Sequence, residues 1–169
     1  MANSTKEAQK LYKTHNDLPE RTRTEVVEIL NESLAATLDL WSQVKQAHWN
    51  VKGKDFYQLH LLFDEIASEL YEFVDTLAER VTALGGVAMG TVRMSAKASL
   101  LSEYPTSAVN GKDHINALVN QFGLYVKHIR QNIDKTDELG DKNTADIYTE
   151  ISRAVDARLW FLEAHVQGE

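Results

Sequence analysis

The sequence predicts an all-α protein: a four-helix bundle with a short helix in the long crossover between helices two and three. Three observations predict it. Apolar residues recur at three- and four-residue steps along four segments. Proline stands only at Pro19 and Pro105, so the spans between are free to be helical. Clean two-residue alternation, the mark of a half-buried strand, is nearly absent. At 169 residues the chain is expected to be one domain with a substantial core.

Composition narrows the function classes. The absence of cysteine excludes disulfides, thiolate metal sites and cysteine nucleophiles. A formal net charge of -7 opposes nucleic-acid binding unless positive charge is segregated. The N-terminal stretch lacks the apolar segment of a secretory signal, and no window has the length of a membrane span. The expected location is the cytoplasm, with nucleoid association where DNA is bound.

Residues 1–20 read as a flexible polar arm ending at Pro19, and 21–167 as the bundle. Before Asp17 the arm is net positive through Lys6, Lys10 and Lys13. The first helix is expected from about Thr22 or Thr24 to Trp49, with Leu30, Leu34, Leu38, Trp41, Lys45 and His48 on one stripe. Glu25 and Glu28 suit its N-terminal dipole. A turn from Asn50 to Lys54 stops at Gly53. The second helix runs from Phe56 to Leu84. Residues 85–112 form the crossover, with two helical turns over Ser95–Ser102. Its length can span the bundle, leaving helices two and three parallel. The third helix is expected over Asp113–Leu139, with Asp113 as N-cap. The short link Gly140–Asn143 makes the fourth, Thr144–Val166, antiparallel to it. One long crossover between two hairpins is the ferritin-like topology.

The second helix carries the informative chemistry. His60 and Asp64 are four apart, as are Asp75 and Glu79, so each pair stacks on one helix face. The eleven-residue step between the pairs adds only about 20° of rotation but rises roughly 16 Å. Metal–ligand bonds are about 2 Å long, so one chain cannot close both pairs on one ion. Two copies crossed antiparallel near Ser68–Tyr71 would place His60 and Asp64 opposite Asp75 and Glu79 of the mate, twice over. His48 joins this set from the first helix. Imidazole and carboxylate donors suit iron, manganese or zinc. Without metal, the same residues are surface pairs and His48 a core histidine. Glu65, Glu69 and Glu72 read as a solvated face. No Glu-x-x-His motif is present, which argues against the usual di-iron centre inside one chain.

The runs KQAHWNVKG (Lys45–Gly53), FYQLHLLFDE (Phe56–Glu65) and DTLAERVTALGG (Asp75–Gly86) resemble the Dps family, the DNA-binding proteins from starved cells or miniferritins. TADIYTEISRAVDARLWFLEAH (Thr144–His165) is similar to the same family, and the likeness spans nearly the whole chain from about Leu11. The resemblance implies a homododecameric shell built from two-fold dimers. It implies a ferroxidase centre at the dimer interface, with two iron positions held by His48, His60 and Asp64 of one subunit and Asp75 and Glu79 of its mate. It implies oxidation of Fe(II), preferably by hydrogen peroxide, storage of the ferric mineral, and protection of DNA. Lys45, Trp49 and Arg80 would then surround the ligands, with Trp49 able to donate an electron. Asp146, with Asp141 nearby, would line an acidic iron pore, where Asn143 replaces an aspartate frequent in relatives. Lys6, Lys10 and Lys13 would form an arm that touches DNA without reading sequence. The alternative is a structural DNA-compacting shell with vestigial metal sites.

Overall fold

A computed structural model describes residues 10–167. It has five helices: α1 (Glu20–Asn50), α2 (Phe56–Ala83), α3 (Val92–Ala98), α4 (Gly111–Glu138) and α5 (Lys142–Ala164). The four long ones form the bundle, and α3 lies in the crossover against α1.

Two hairpins build the bundle. The α1–α2 turn is tight, because Gly53 takes φ 106° and its carbonyl accepts from the Phe56 N–H. The α4–α5 turn is closed by Gly140 at φ 84°. The crossover leaves α2 beside the start of α1, where Arg23 Nη1 donates to the Leu84 carbonyl at 2.9 Å. It returns at the opposite end, where Lys52 and Asn110 form a parallel bridge. It therefore spans the bundle, and α4 runs parallel to α2, as the length of the connection predicts.

The core is one cluster. Val26, Val27, Leu30, Leu34, Leu40 and Val44 of α1 meet Phe63, Ile66, Leu70, Leu77 and Val81 of α2. Leu118, Phe122 and Ile129 of α4 and Ile151, Val155 and Leu162 of α5 close it. Burying each such side chain contributes about 1.5–3 kcal/mol. The expected α1 stripe splits in two. Leu30 and Leu34 are in the core, but Leu38, Trp41, Lys45 and His48 run along a half-buried edge beside it. At 3.6 residues per turn a long stripe drifts, and the core follows Leu40, Val44 and Ala47 instead.

Helix starts also differ from expectation. Asn110, not Asp113, caps α4: its side chain accepts from the Asp113 N–H while Asp113 accepts from the Asn110 N–H, a capping box. The crossover helix begins at Val92, capped by Thr91, and ends at Ala98 rather than reaching Ser102. Glu65 and Glu69, read as solvated, both bind Arg158 of α5, at 3.0 and 2.6 Å, and clamp α2 to α5. Residues 10–19 run against the bundle: Leu11 and Leu18 pack on the core, and the Tyr12 N–H donates to the Gly85 carbonyl at 2.7 Å. Gly85 is required there, since a Cβ would lie 2.5 Å from the Tyr12 oxygen. No described helix is long and apolar enough to cross a membrane.

Candidate metal centre at the hairpin of α1 and α2

The α1–α2 hairpin brings His48 and His60 together from mirrored positions on either side of the turn. Their rings stack, with centroids 3.8 Å apart and planes 18° apart. His48 Nδ1 lies 2.7 Å from the His60 carbonyl oxygen, and His60 Nδ1 lies 2.9 Å from the His48 carbonyl oxygen. A carbonyl can only accept, so each Nδ1 carries the proton and donates. In the neutral rings each Nε2 then holds a lone pair, the form a metal ion needs. Phe56 packs against His60 from one turn earlier, 5.1 Å between centroids.

Asp64 completes the cluster. Lys45 Nζ donates to its carboxylate at 2.7 Å, and His48 Nε2 lies 3.9 Å from the same oxygen. The Lys45 hydrogen bond, with the Lys45 charge, holds the Asp64 carboxyl below its ordinary range despite some desolvation. The carboxylate stays anionic and exposed, with one oxygen engaged by Lys45. Trp49 projects outward, 64% exposed, with the Lys45 ammonium 5.8 Å from its ring centroid.

Asp75 and Glu79 stand further along α2, both exposed. Among the described residues no side chain bonds either carboxylate. Nor does any group of three or more potential ligands within this one chain have the geometry to hold a metal, among the described residues. The candidate ligand set is thus divided: an imidazole pair with Asp64 at one end, two open carboxylates at the other.

The remaining sequence-named residues fall elsewhere. Arg80 turns away from Glu79. Its Nη2 grips both Asp141 oxygens at 2.7 and 2.9 Å, and its Nε donates to Thr144 Oγ1 at 2.9 Å. Asp141 is 2% exposed and caps α5 through the Thr144 N–H. Burial pushes its carboxyl up, but bonds from Thr144 and Arg80 outweigh this and hold it below the ordinary range. A side chain so enclosed is a helix cap and ion-pair partner rather than an open pore wall. Asp146 is exposed one turn into α5. Lys10 lies over the Tyr12 ring at 4.8 Å, Lys13 is exposed, and Lys6 lies outside the described residues.

Two features escaped sequence reading. The reciprocal histidine lock had one signal, two histidines flanking a turn at mirrored distances. The Arg158 clamp joins residues far apart in the chain and had none.

Comparison with known proteins identifies the family. The ferritin-like domain family matches residues 27–168. The DNA protection during starvation protein of Agrobacterium fabrum is 48% identical over 158 residues, covering 94% of this chain and 98% of the relative. The chain belongs to the Dps family. Its Dps relatives include the DNA protection during starvation protein 1 of Deinococcus radiodurans, 30% identical over 92% of this chain and 75% of that one. Among solved Dps structures, DpsC from Streptomyces coelicolor superposes with a TM-score of 0.90 at 32% identity, over 94% of this chain and 93% of that one. The Dps protein from Vibrio cholerae superposes at 0.86 with 26% identity, over 94% and 99%, and is described as a member of a broad superfamily of ferritin-like diiron-carboxylate proteins.

Proposed function

We propose that this Dps chain oxidises ferrous iron at a site shared by two subunits and stores the ferric product in a homododecameric shell. The observation that carries this reading is the divided ligand set. His48 and His60 present two Nε2 lone pairs beside Asp64. Asp75 and Glu79 present two unengaged carboxylates on the same α2 helix, roughly 16 Å further along. Antiparallel crossing of two α2 helices near Ser68–Tyr71 joins the halves into two equivalent sites.

The roles follow from the donors. Glu79, an open carboxylate, anchors the tighter iron with Asp75 and the partner's His48. His60 and Asp64 hold the second position, with Lys45 fixing the Asp64 carboxylate and offsetting its charge. Two ferrous ions together supply the two electrons that reduce one peroxide to water, so no one-electron hydroxyl radical is released. The relatives' name, DNA protection during starvation, fits that outcome. Asp146 and the overall charge of -7 favour cation entry. DNA contact by Lys6, Lys10 and Lys13 is part of the proposal, as sequence-independent binding that salt removes. Anchoring of the chain at Leu11 and Tyr12 limits how far Lys10 and Lys13 reach.

Anaerobic ferrous titration followed by peroxide tests the reading. It expects about one peroxide consumed per two ferrous ions, with ferric iron retained on the protein. Glu79→Ala should abolish the fast phase and leave assembly intact. Oxidation no faster than free iron, with precipitation outside the protein, would favour a structural DNA-compacting shell with vestigial sites.

A further inference from the structure

We propose that His114, buried near the start of α4, is a positioning residue for the shared iron site: it braces Asn50, the last residue of α1, and so sets where His48 presents its Nε2. The proposal rests on the iron-oxidising reading above and adds a residue on a third helix that the reading does not use.

The first turn of α4 backs onto the hairpin that carries the two histidines, and it meets both arms. On the α1 side, the Lys52 N–H donates to the Val109 carbonyl at 3.1 Å, just past Asn50, which stands two residues after His48. On the α2 side, Gly111 lies against Leu59, the residue before His60. A Cβ at Gly111 would fall 2.5 Å from Leu59 Cδ1. His114 follows three residues further along α4 and is 1% exposed.

The His114 ring is held from the crossover. The Tyr104 hydroxyl lies 2.6 Å from His114 Nδ1, and the rings stack with 6.0 Å between centroids and 19° between planes. Burial pushes the phenol pKa up and the imidazole pKa down, so both groups are neutral. The phenol donates to Nδ1, which leaves the ring proton on Nε2. That Nε2 is buried and closes no hydrogen bond of ordinary geometry among the described residues. The group that draws on the ring is the Asn50 main chain, which opposes the effect of burial on the imidazole.

The Asn50 carbonyl is one of the last four of α1, which have no partner within the helix. Lys52 Nζ donates to it at 2.9 Å from the turn, and His114 faces it from α4. A buried N–H is stable only against an acceptor, and the acceptor here is the end of α1. His48 lies half a turn earlier on that end, so any shift of Asn50 moves the imidazole with it. Metal ligands work within about 0.5 Å of their productive position. Loss of the brace therefore loosens the site without removing a ligand.

The test titrates assembled full-length shells with cobalt(II), a stand-in for ferrous iron whose visible absorption reports ligand number and geometry. The unmodified protein should bind cobalt with a visible band that His60→Ala, lacking one proposed ligand, loses. His114→Phe keeps the size of the ring and its stack on Tyr104 but not the N–H. It should bind cobalt several-fold more weakly, with the band shifted. His114→Gln carries an amide N–H toward the Asn50 carbonyl and should restore both. A side chain that merely fills space would be replaced well by Phe and poorly by Gln. Affinity and band unchanged in His114→Phe, or no better in His114→Gln than in His114→Phe, overturn the proposal. Should His114→Phe fail to assemble, Tyr104→Phe decides, since it frees the ring by removing one hydroxyl: weaker binding with a shifted band supports the brace, and unaltered binding refutes it. Ferrous oxidation by peroxide is measured on the unmodified shells. Its failure would refute the iron-oxidising reading, whereas its success with a cobalt site indifferent to His114 refutes this proposal alone.

Discussion

His48 and His60 hold each other in place: each ring donates from Nδ1 to the other's main-chain carbonyl, at 2.7 and 2.9 Å, and the rings stack at 3.8 Å. The lock sets both tautomers in the chain itself, so the iron binding proposed above need not reorganise either ring. It also joins the end of α1 to the start of α2.

The lock should be visible in stability as well as chemistry. His60→Ala removes a proposed iron ligand, one inter-helix hydrogen bond and the stack on His48. A loss of about 1–2 kcal/mol is expected, together with loss of iron binding. Denaturant unfolding of the iron-free protein checks the first and ferrous titration the second. Unchanged stability would mean that the hairpin holds its register without the histidines.

Arg80 and Asp141 form the most enclosed ion pair among the described residues, with side chains 13% and 2% exposed. Arg80→Leu strands the Asp141 carboxylate in a buried setting. Breaking such a pair costs about 3–5 kcal/mol. The damage should show as a lowered Tm rather than as a changed ligand set, because Arg80 does not touch Glu79. Asp141 is held below its ordinary carboxyl range, so its contribution is present above that range and fades as pH falls through the lowered value. In Arg80→Leu that acid-dependent part should be largely gone, as acid unfolding curves would reveal.

His128 gives a second pH effect with a different window. Burial lowers its pKa from 6.5 to about 4, with a further push from Lys135. Its Nε2 accepts from Asn132 Nδ2 at 3.0 Å and lies 2.9 Å from Ser33 Oγ. The unfolded chain takes up a proton here before the folded one does. Stability is therefore whole above about pH 6.5 and declines as pH falls toward about 4, by up to about 3 kcal/mol. His128→Gln should be less stable at neutral pH but flatter across this window. Equal slopes in the two proteins would show that another group titrates there.

Much of this was legible in the sequence because helix periodicity, glycine stops and a long proline-poor crossover are local signals. The bundle, its hairpins and the parallel course of α2 and α4 followed from them. The proposed division of ligands between subunits rests on spacing, since eleven residues of helix are too long for one ion. What could not be read depended on register and distance. Reciprocal bonding of His48 and His60 needs the actual turn at Gly53. Asp141 looks like any acidic loop residue until Arg80 is seen to close over it. Glu65 and Glu69 look solvated until Arg158 arrives from another helix. Leu38 and Trp41 fit a straight stripe, but the helix drifts and Leu40 and Val44 take the core.

The claim that the iron site is shared between subunits can be measured directly with two inactive variants. One carries His60→Ala and Asp64→Ala, the other Asp75→Ala and Glu79→Ala. Each alone should lack fast ferrous oxidation. Co-expressed, they form mixed dimers in which one of the two sites has every ligand and the other has lost all four altered ones. Random pairing should then restore about one quarter of the normal initial rate. No recovery in verified mixed shells would mean that each site draws all its ligands from one chain, and the shared-site account would be wrong.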